Sequence, residues 1–244
     1  MEKFQTLANN RALGSSALLA EYINLIQTAN QEYIELSVPL MQRAFPVMAV
    51  WHFTEAFFKK NGITPDSVAE LTQMVRHGKR DVIQNALQPL GRFKRFLTYS
   101  RSSIVEATLI KLNEEVERVI CAESLPAKEG LELANRLRGA RISVHTVPDI
   151  ELVNHVRDVD AIVLGADWLR RDDFVNKFGT KLLVEQARTS GIPVFVLAER
   201  FKMVDHMLPE ERAFFQEWTQ AGKQTLIPIF EVVQKRNVVQ YLTD

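Results

Sequence analysis

The chain has 244 residues, of which 30 are Lys or Arg and 30 are Asp or Glu, and it carries a single cysteine, Cys121. This length supports one large domain or two modest ones. The balanced charge argues against a broad polyanion-binding surface, and one cysteine excludes a disulfide framework within the chain and fits a reducing, cytoplasmic setting.

Residues 1–10 show no long apolar run after their first charges, and no stretch reaches the roughly 18 apolar residues of a membrane span, so neither a signal peptide nor a membrane segment is expected. Leu18, Leu19, Tyr22, Ile23 and Ile26 recur at helical spacing after Gly14, Ser15 and Ser16. A second apolar stretch covers 38–58, with Pro39 and Pro46 as boundaries or kinks. Residues 61–66 read as a turn in which Thr64 or Asp66 caps a helix marked by Val68, Leu71, Met74 and Val75. Few runs before Arg92 look like strands, so 1–90 is expected to form a helical N-terminal domain.

The pattern changes at Gly91. Strands are expected over 93–99, 119–122, 142–147, 161–165 and 193–197. Helices are expected over 104–112, 127–137, 150–156 and 177–190. Such alternation implies βαβ units and a mostly parallel sheet, hence an α/β, Rossmann-like domain over 91–244. The segment after Phe201 is looser, with a final strand over 227–233 and a short helix over 237–242.

Ligands of open parallel sheets bind beyond the carboxyl ends of the strands. Those ends carry residues 98–103, 123–126, Pro148 and Asp149, 165–167, and Ala198 with Glu199. Polar and charged side chains gather there although the strands are apolar. Residues 176–180 precede a helix, whose free N–H groups beside Lys177 suit a phosphate; taken alone, Asn176 reads as a helix cap. Asp167 follows a small Gly-Ala pair and can move protons in a partly dry cleft, or it can cap a helix or pair with Arg170 or Arg171.

Other features point to no further chemistry. His52, His77, His145, His155 and His206 lack metal-ligand spacing, so no metal is expected. There is no G-x-G-x-x-G after a strand and no P-loop, and no cofactor is expected. Arg92, Lys94 and Arg95 with Phe93 and Phe96 read as a solvated strand edge rather than a nucleic-acid surface. Cys121 lies inside an apolar strand and reads as packing.

Several motifs resemble the regulatory subunits of translation initiation factor two-B and the related sugar-phosphate isomerases. Residues 97–102, Leu-Thr-Tyr-Ser-Arg-Ser, resemble the family's first motif. Residues 122–126 with Glu129 and Gly130 resemble Glu-Ser-Arg-Pro…Gly. Residues 160–167 resemble the central strand ending in Gly-Ala-Asp, 175–180 resemble Asn-Lys-Ile-Gly-Thr, and 229–233 resemble the terminal Phe-Asp-Val-Thr-Pro segment. Arg11 to Leu19 weakly resembles the N-terminal Arg-Gly-Ala motif.

The resemblance implies a site built from Tyr99, Arg101, Ser102, Glu123, Asn176 and Lys177 as ligand-binding residues. In an isomerase, Asp167 and Ser100 would be the catalytic positions. Three departures matter: Ser100 stands where the isomerases place cysteine, Leu125 where many relatives have arginine, and Leu13 where the isomerases have the arginine of Arg-Gly-Ala. A serine hydroxyl is far harder to ionise than a thiol, and losing arginines removes bidentate phosphate ligands. The expectation is therefore a protein that binds a phosphorylated metabolite, a sugar phosphate or a nucleotide, without isomerising it. The alternative is an aldose-phosphate to ketose-phosphate isomerase with an altered site. The resemblance also implies a homodimer or higher oligomer and a possible protein partner, with Phe195, Phe201, Phe214, Phe215 and Trp218 as candidate apolar contacts.

Overall fold

A computed structural model describes residues 1–11, 13–204, 209–220 and 223–244. The chain opens with five helices: α1 (Glu2–Ala8), α2 (Ser15–Ile26), α3 (Gln31–Ala44), α4 (Ala49–Asn61) and α5 (Pro65–Leu90). Pro39 is carried inside α3, whereas Pro46 falls in the break before α4. Thr64 starts α5: its side chain accepts from Ser67 N–H at 3.1 Å while Ser67 Oγ accepts from Thr64 N–H at 3.0 Å, with Pro65 in the first helical turn.

The expected stripe of α2 is buried, and it packs with Met41, Trp51, Phe57, Val68 and Leu71 into one core. Met74 departs from the expectation and is exposed. The 26-residue α5 serves two cores: Val68, Leu71 and Val75 belong to the helical one, and Val82, Ile83, Ala86 and Leu90 to that of the sheet.

The sheet elements follow in chain order as β1 (Arg95–Thr98), α6 (Ser103–Lys111), β2 (Arg118–Ala122), α7 (Glu129–Gly139), β3 (Val144–Val147), a 3-10 stretch (Asp149–Asp158) and β4 (Ala161–Gly165). After these come β5 (Trp168–Leu169), β6 (Asp173–Lys177), α8 (Thr180–Ser190) and β7 (Val194–Leu197). The chain ends with β8 (Phe215–Gln220), β9 (Lys223–Pro228), β10 (Phe230–Gln234) and β11 (Val239–Leu242). Six strands form a sheet in the order β11-β7-β4-β1-β2-β3, every neighbouring pair parallel.

Successive residues of each central strand feed opposite cores. Phe96, Val119, Ala161, Val163 and Phe195 face α5, α6 and α7, while Leu97, Ile120, Ile162, Leu164 and Val196 face α8 and the 3-10 stretch. Both faces are covered, which is why these strands read as continuous apolar runs. The strand order reverses between β1 and β4, so the crevice for a ligand opens beyond their carboxyl ends.

Several expectations on element type are corrected. Residues 239–242 form a parallel edge strand rather than a short helix, because Val239 to Leu242 hydrogen-bond along β7. The helix expected from 177 begins only at Thr180, since Asn176 and Lys177 end β6, which pairs antiparallel with β5 and β10. Residues 150–156 lie in the 3-10 stretch rather than an α-helix. The short α1, the pair β5–β6 and the hairpin β8–β9 had no clear periodicity to announce them. The expected aromatic contact face is corrected in part: Phe195, Phe201 and Phe214 are 0%, 8% and 8% exposed and belong to the cores, whereas Phe215 and Trp218 stay partly exposed.

Candidate functional site

A cavity of about 150 Å³ lies over the β1–β4 crevice, roofed by the N-terminal segment. Its wall includes Arg11 and residues 13–17, residues 99–103, Glu129, residues 165–167, Asn176, Lys177, Lys202, Gln216 and Trp218. Tyr99, Ser100, Arg101, Ser102, Asp167, Asn176 and Lys177 are thus brought to one cleft, as their strand-end positions imply. Glu123 is not: it lies outside this wall, and its backbone is spent on Val147 and Gly130. The acid that reaches the cavity from the same loop is Glu129, at the start of α7. It arrives there because Gly130 sits against the end of β2, where any Cβ would collide with the carbonyl oxygen of Ala122.

Beyond β1 the chain turns sharply. Ser100 adopts a left-handed backbone conformation (φ 64°) and donates its N–H to Ser124 Oγ at 2.9 Å. Ser124 and Leu125 in turn donate their N–H groups to the Asp149 carboxylate at 2.6 and 2.7 Å, so three strand-end loops brace one another. Leu125 is exposed and outside the cavity wall. Ser102 caps α6 and packs on Gly165, where a Cβ would stand 2.6 Å from that of Ser102. Tyr99 donates its hydroxyl to Phe178 O at 2.7 Å, and burial raises its pKa.

Most of the charges in the wall are already paired. Lys177 Nζ donates to Glu129 Oε1 at 2.7 Å, and Ser100 Oγ donates to the same oxygen at 2.9 Å. Arg101 lies 2.7 Å from Glu132 and 3.5 Å from Glu106. Lys202, which sequence reasoning missed, is buried; its ammonium donates to Ser16 Oγ at 2.8 Å and Ala166 O at 3.0 Å, and pairs with Glu199 at 3.1 Å. Arg11 differs. Its guanidinium donates to Ala8 O at 2.9 Å and lies over the Phe45 ring at 4.5 Å, with no carboxylate partner among the described residues. Arg11 and Leu13 both line the cavity.

The helix end expected to hold phosphate is taken. Gly179 N–H and Lys181 N–H, at the start of α8, both donate to Glu231 Oε1, at 2.8 and 2.7 Å. Asn176 does not cap this helix; from β6 its side-chain amide donates to Thr180 Oγ1 at 3.2 Å. An internal carboxylate fills the role of the anion.

Asp167 faces the start of α2, where the N–H and the hydroxyl of Ser15 act to lower its pKa. Burial raises its pKa, against the downward pull of Lys202 and of the Ser15 bonds. Its backbone oxygen accepts from Ala49 N–H at 2.9 Å, which ties the start of α4 to the same strand end. The carboxylate therefore lines the cavity and also joins the helices to the sheet. Cys121 is remote from this chemistry: it sits inside β2, and burial pushes its thiol up to about 12. Among the described residues no group of His, Cys, Asp and Glu could hold a metal ion; His206 lies outside them. No helix among them is long and apolar enough to cross a membrane.

Comparison with known proteins bears on the fold and the family. A "Putative translation initiation factor eIF-2B subunit 2-like" protein of Pyrococcus horikoshii is 30% identical over 146 residues, 59% of this chain and 53% of that one. A "Ribose 1,5-bisphosphate isomerase" of Archaeoglobus fulgidus is 29% identical over 166 residues, 62% of this chain and 53% of that one. The matched part thus spans about half the length of these curated relatives. Among solved structures, the Pyrococcus horikoshii OT3 translation initiation factor eIF-2B shares the fold with a TM-score of 0.85 at 22% identity, covering 99% of this chain and 94% of that one. Residues 7–238 match the initiation factor 2 subunit family as a whole, and the chain belongs to that family.

Proposed function

We propose that the chain is a regulatory-subunit-type protein that binds a small phosphorylated metabolite, a sugar phosphate or a nucleotide, in the cavity over the β1–β4 crevice, and does not isomerise it. The observation that carries this reading is the state of Ser100. It stands where the isomerases place a cysteine, and its hydroxyl is already engaged with Glu129, which also holds Lys177. The chain's one thiol is buried in β2. Arg11, without a carboxylate partner among the described residues, is the wall cation best suited to a phosphate.

One observation favours the isomerase alternative: burial raises the pKa of Asp167, as an acid/base needs. In that reading Asp167 moves the proton, Ser100 assists, and Asn176 with Lys177 anchors the substrate. Thermal shift against sugar phosphates and nucleotides separates the readings when each hit is also assayed for isomerisation. A ligand at 100 times its Kd stabilises by about 2.7 kcal/mol, roughly 5–11 °C for a chain of this size. The binding reading expects a shift that Arg11→Met abolishes, with no turnover, and little turnover restored by Ser100→Cys. Turnover by the unmodified protein that disappears in Asp167→Asn would overturn it.

Self-association belongs to the same proposal. Structural neighbours include a tetrameric eIF2B-beta2-delta2 complex from C. thermophilum. Leu125, Ile150, Phe178 and Leu182, 46%, 82%, 49% and 61% exposed, supply apolar contact in place of the buried Phe195, Phe201 and Phe214. Sedimentation at micromolar concentration is expected to show a dimer or larger assembly, and a monomer alone would count against it.

A further inference from the structure

Hairpin β8–β9 stands apart from the other two sheets. Its strands pair with each other and with no further strand among the described residues, and a two-stranded hairpin by itself is marginally stable in water. Among the described residues, no hydrogen bond or ion pair joins 216–227 to the rest of the molecule; the side-chain bond from Gln224 to Glu217, at 2.7 Å, stays within the hairpin.

The base of the hairpin, in contrast, is fixed. Ile229 N–H donates to Phe214 O, and Phe178 N–H donates to Ile229 O, both at 2.8 Å. Phe214 is buried, and Phe215 and Phe230 pack with it around Trp168 and Val175. An element held at one end turns about that end, with the terminal residues absorbing the change in backbone angles.

The two faces of the hairpin differ. Side chains alternate along a strand, so Gln216 and Trp218 share a face, and both belong to the cavity wall. On the other face Glu217, Thr219 and Leu226, which sits opposite Glu217, are exposed. Trp218 is only partly buried, whereas Trp51 and Trp168 are fully buried in the cores. A half-buried indole at the cavity therefore rides on an element that is secured only at its base.

We infer that hairpin β8–β9 is a lid over the cavity, hinged at the Phe214–Ile229 pair, and that Trp218 is the side chain that covers the opening. The lid governs access whatever the occupant is. When closed, it excludes water from the charges of the wall and so strengthens their hold on a ligand.

Two measurements on the full chain test the lid without any ligand. In the first, Ser100→Cys places a thiol in the cavity wall, while Cys121 stays buried in β2, so alkylation by iodoacetamide times access to the cavity. A lid open about 0.1–10% of the time slows labelling at least about tenfold, and adding Trp218→Ala is expected to restore that factor. Trp218→Phe keeps an aromatic cover and is expected to label at the rate of Ser100→Cys alone. Leu226→Ala, on the outward face, controls for simple loosening of the hairpin and is expected to leave the rate unchanged. A rate unaffected by Trp218→Ala, or raised as much by Leu226→Ala, would overturn the covering role of Trp218. In the second, fluorine NMR of protein grown with fluorotryptophan reads the three tryptophans separately, with Trp218 assigned through Trp218→Phe. The Trp218 resonance is expected to show exchange between two states, and those of Trp51 and Trp168 to be free of it. A Trp218 resonance without exchange would overturn the hinge and make the hairpin a fixed wall.

Discussion

Gly165→Ala probes the close packing at the crevice. Gly165 ends β4, and an added Cβ would stand 2.6 Å from Ser102 Cβ and 2.8 Å from Ser102 Oγ. Ordinary carbon contacts begin near 3.4 Å, so one of the two elements has to move by most of an ångström. Rotating the Ser102 side chain does not relieve the overlap, because its Cβ is fixed to the backbone. The alternatives are to shift the turn at 100–103 or to push β4 against its neighbours. Overpacking of this kind costs about 1–3 kcal/mol. Displacing Ser102 also weakens the cap on α6, where its Oγ accepts from Val105 N–H at 3.4 Å, a contribution of about 1 kcal/mol. The sum, about 2–4 kcal/mol, corresponds to roughly 4–16 °C in Tm for a chain of this size. Gly139→Ala is the matched control. Gly139 ends α7, and a Cβ added there would meet nothing within 4 Å, so the change is expected to stabilise by about 0.5–1 kcal/mol. Calorimetric melts of the two variants beside the parent decide the matter. A Gly165→Ala protein that melts with the parent would refute the close approach of Ser102, and with it the geometry of the crevice.

Three further outcomes follow from the same contacts. Glu231→Ala removes the acceptor shared by Gly179 N–H and Lys181 N–H and is expected to cost about 1–3 kcal/mol, read as a lower denaturant midpoint with an unchanged slope; no change would mean that water caps α8 equally well. Lys202→Met strands the buried Glu199 carboxylate, whose side chain is 1% exposed against 4% for the lysine, at a cost of about 3–5 kcal/mol, and Glu199→Leu added to it should recover part of the loss. For pH, the raised Asp167 carboxyl binds a proton more tightly folded than unfolded, so its contribution to stability falls as pH rises from about 3.8 through its raised folded value. Asp160, held down chiefly by its hydrogen bond with Arg95, works in the opposite sense: its contribution is present above about 3.8 and is lost as pH falls through its lowered folded value. Asp167→Asn is therefore expected to raise the midpoint at neutral pH relative to its effect in acid, and Asp160→Asn to lower it; equal shifts across the range would refute both assignments.

Elements whose pattern is local were legible before any folding was known. Continuous apolar runs such as Ile162, Val163 and Leu164 announced strands covered on both faces, and the polar residues after them marked the end of the sheet where Tyr99, Ser100, Arg101, Ser102, Asp167, Asn176 and Lys177 now line one cavity. Thr64 was legible as a cap because capping is written within four residues. What the pattern could not express is which charge answers which. Glu231 caps α8 from 50 residues away once β10 pairs with β6, whereas the approach of Asp167 to Ser15 and of Lys202 to Ser16 exists only once the N-terminal helices lie across the carboxyl edge of the sheet. For the same reason Glu123 looked like the acid of its loop, although packing of Gly130 against β2 delivers Glu129 instead. Strand β11 was misread because its few residues fit a helix or a strand equally well, and only the free edge of β7 chose between them. Periodicity is a property of neighbours along the chain, whereas the partner of a buried charge is a property of neighbours in space, and that choice was left to the tertiary structure.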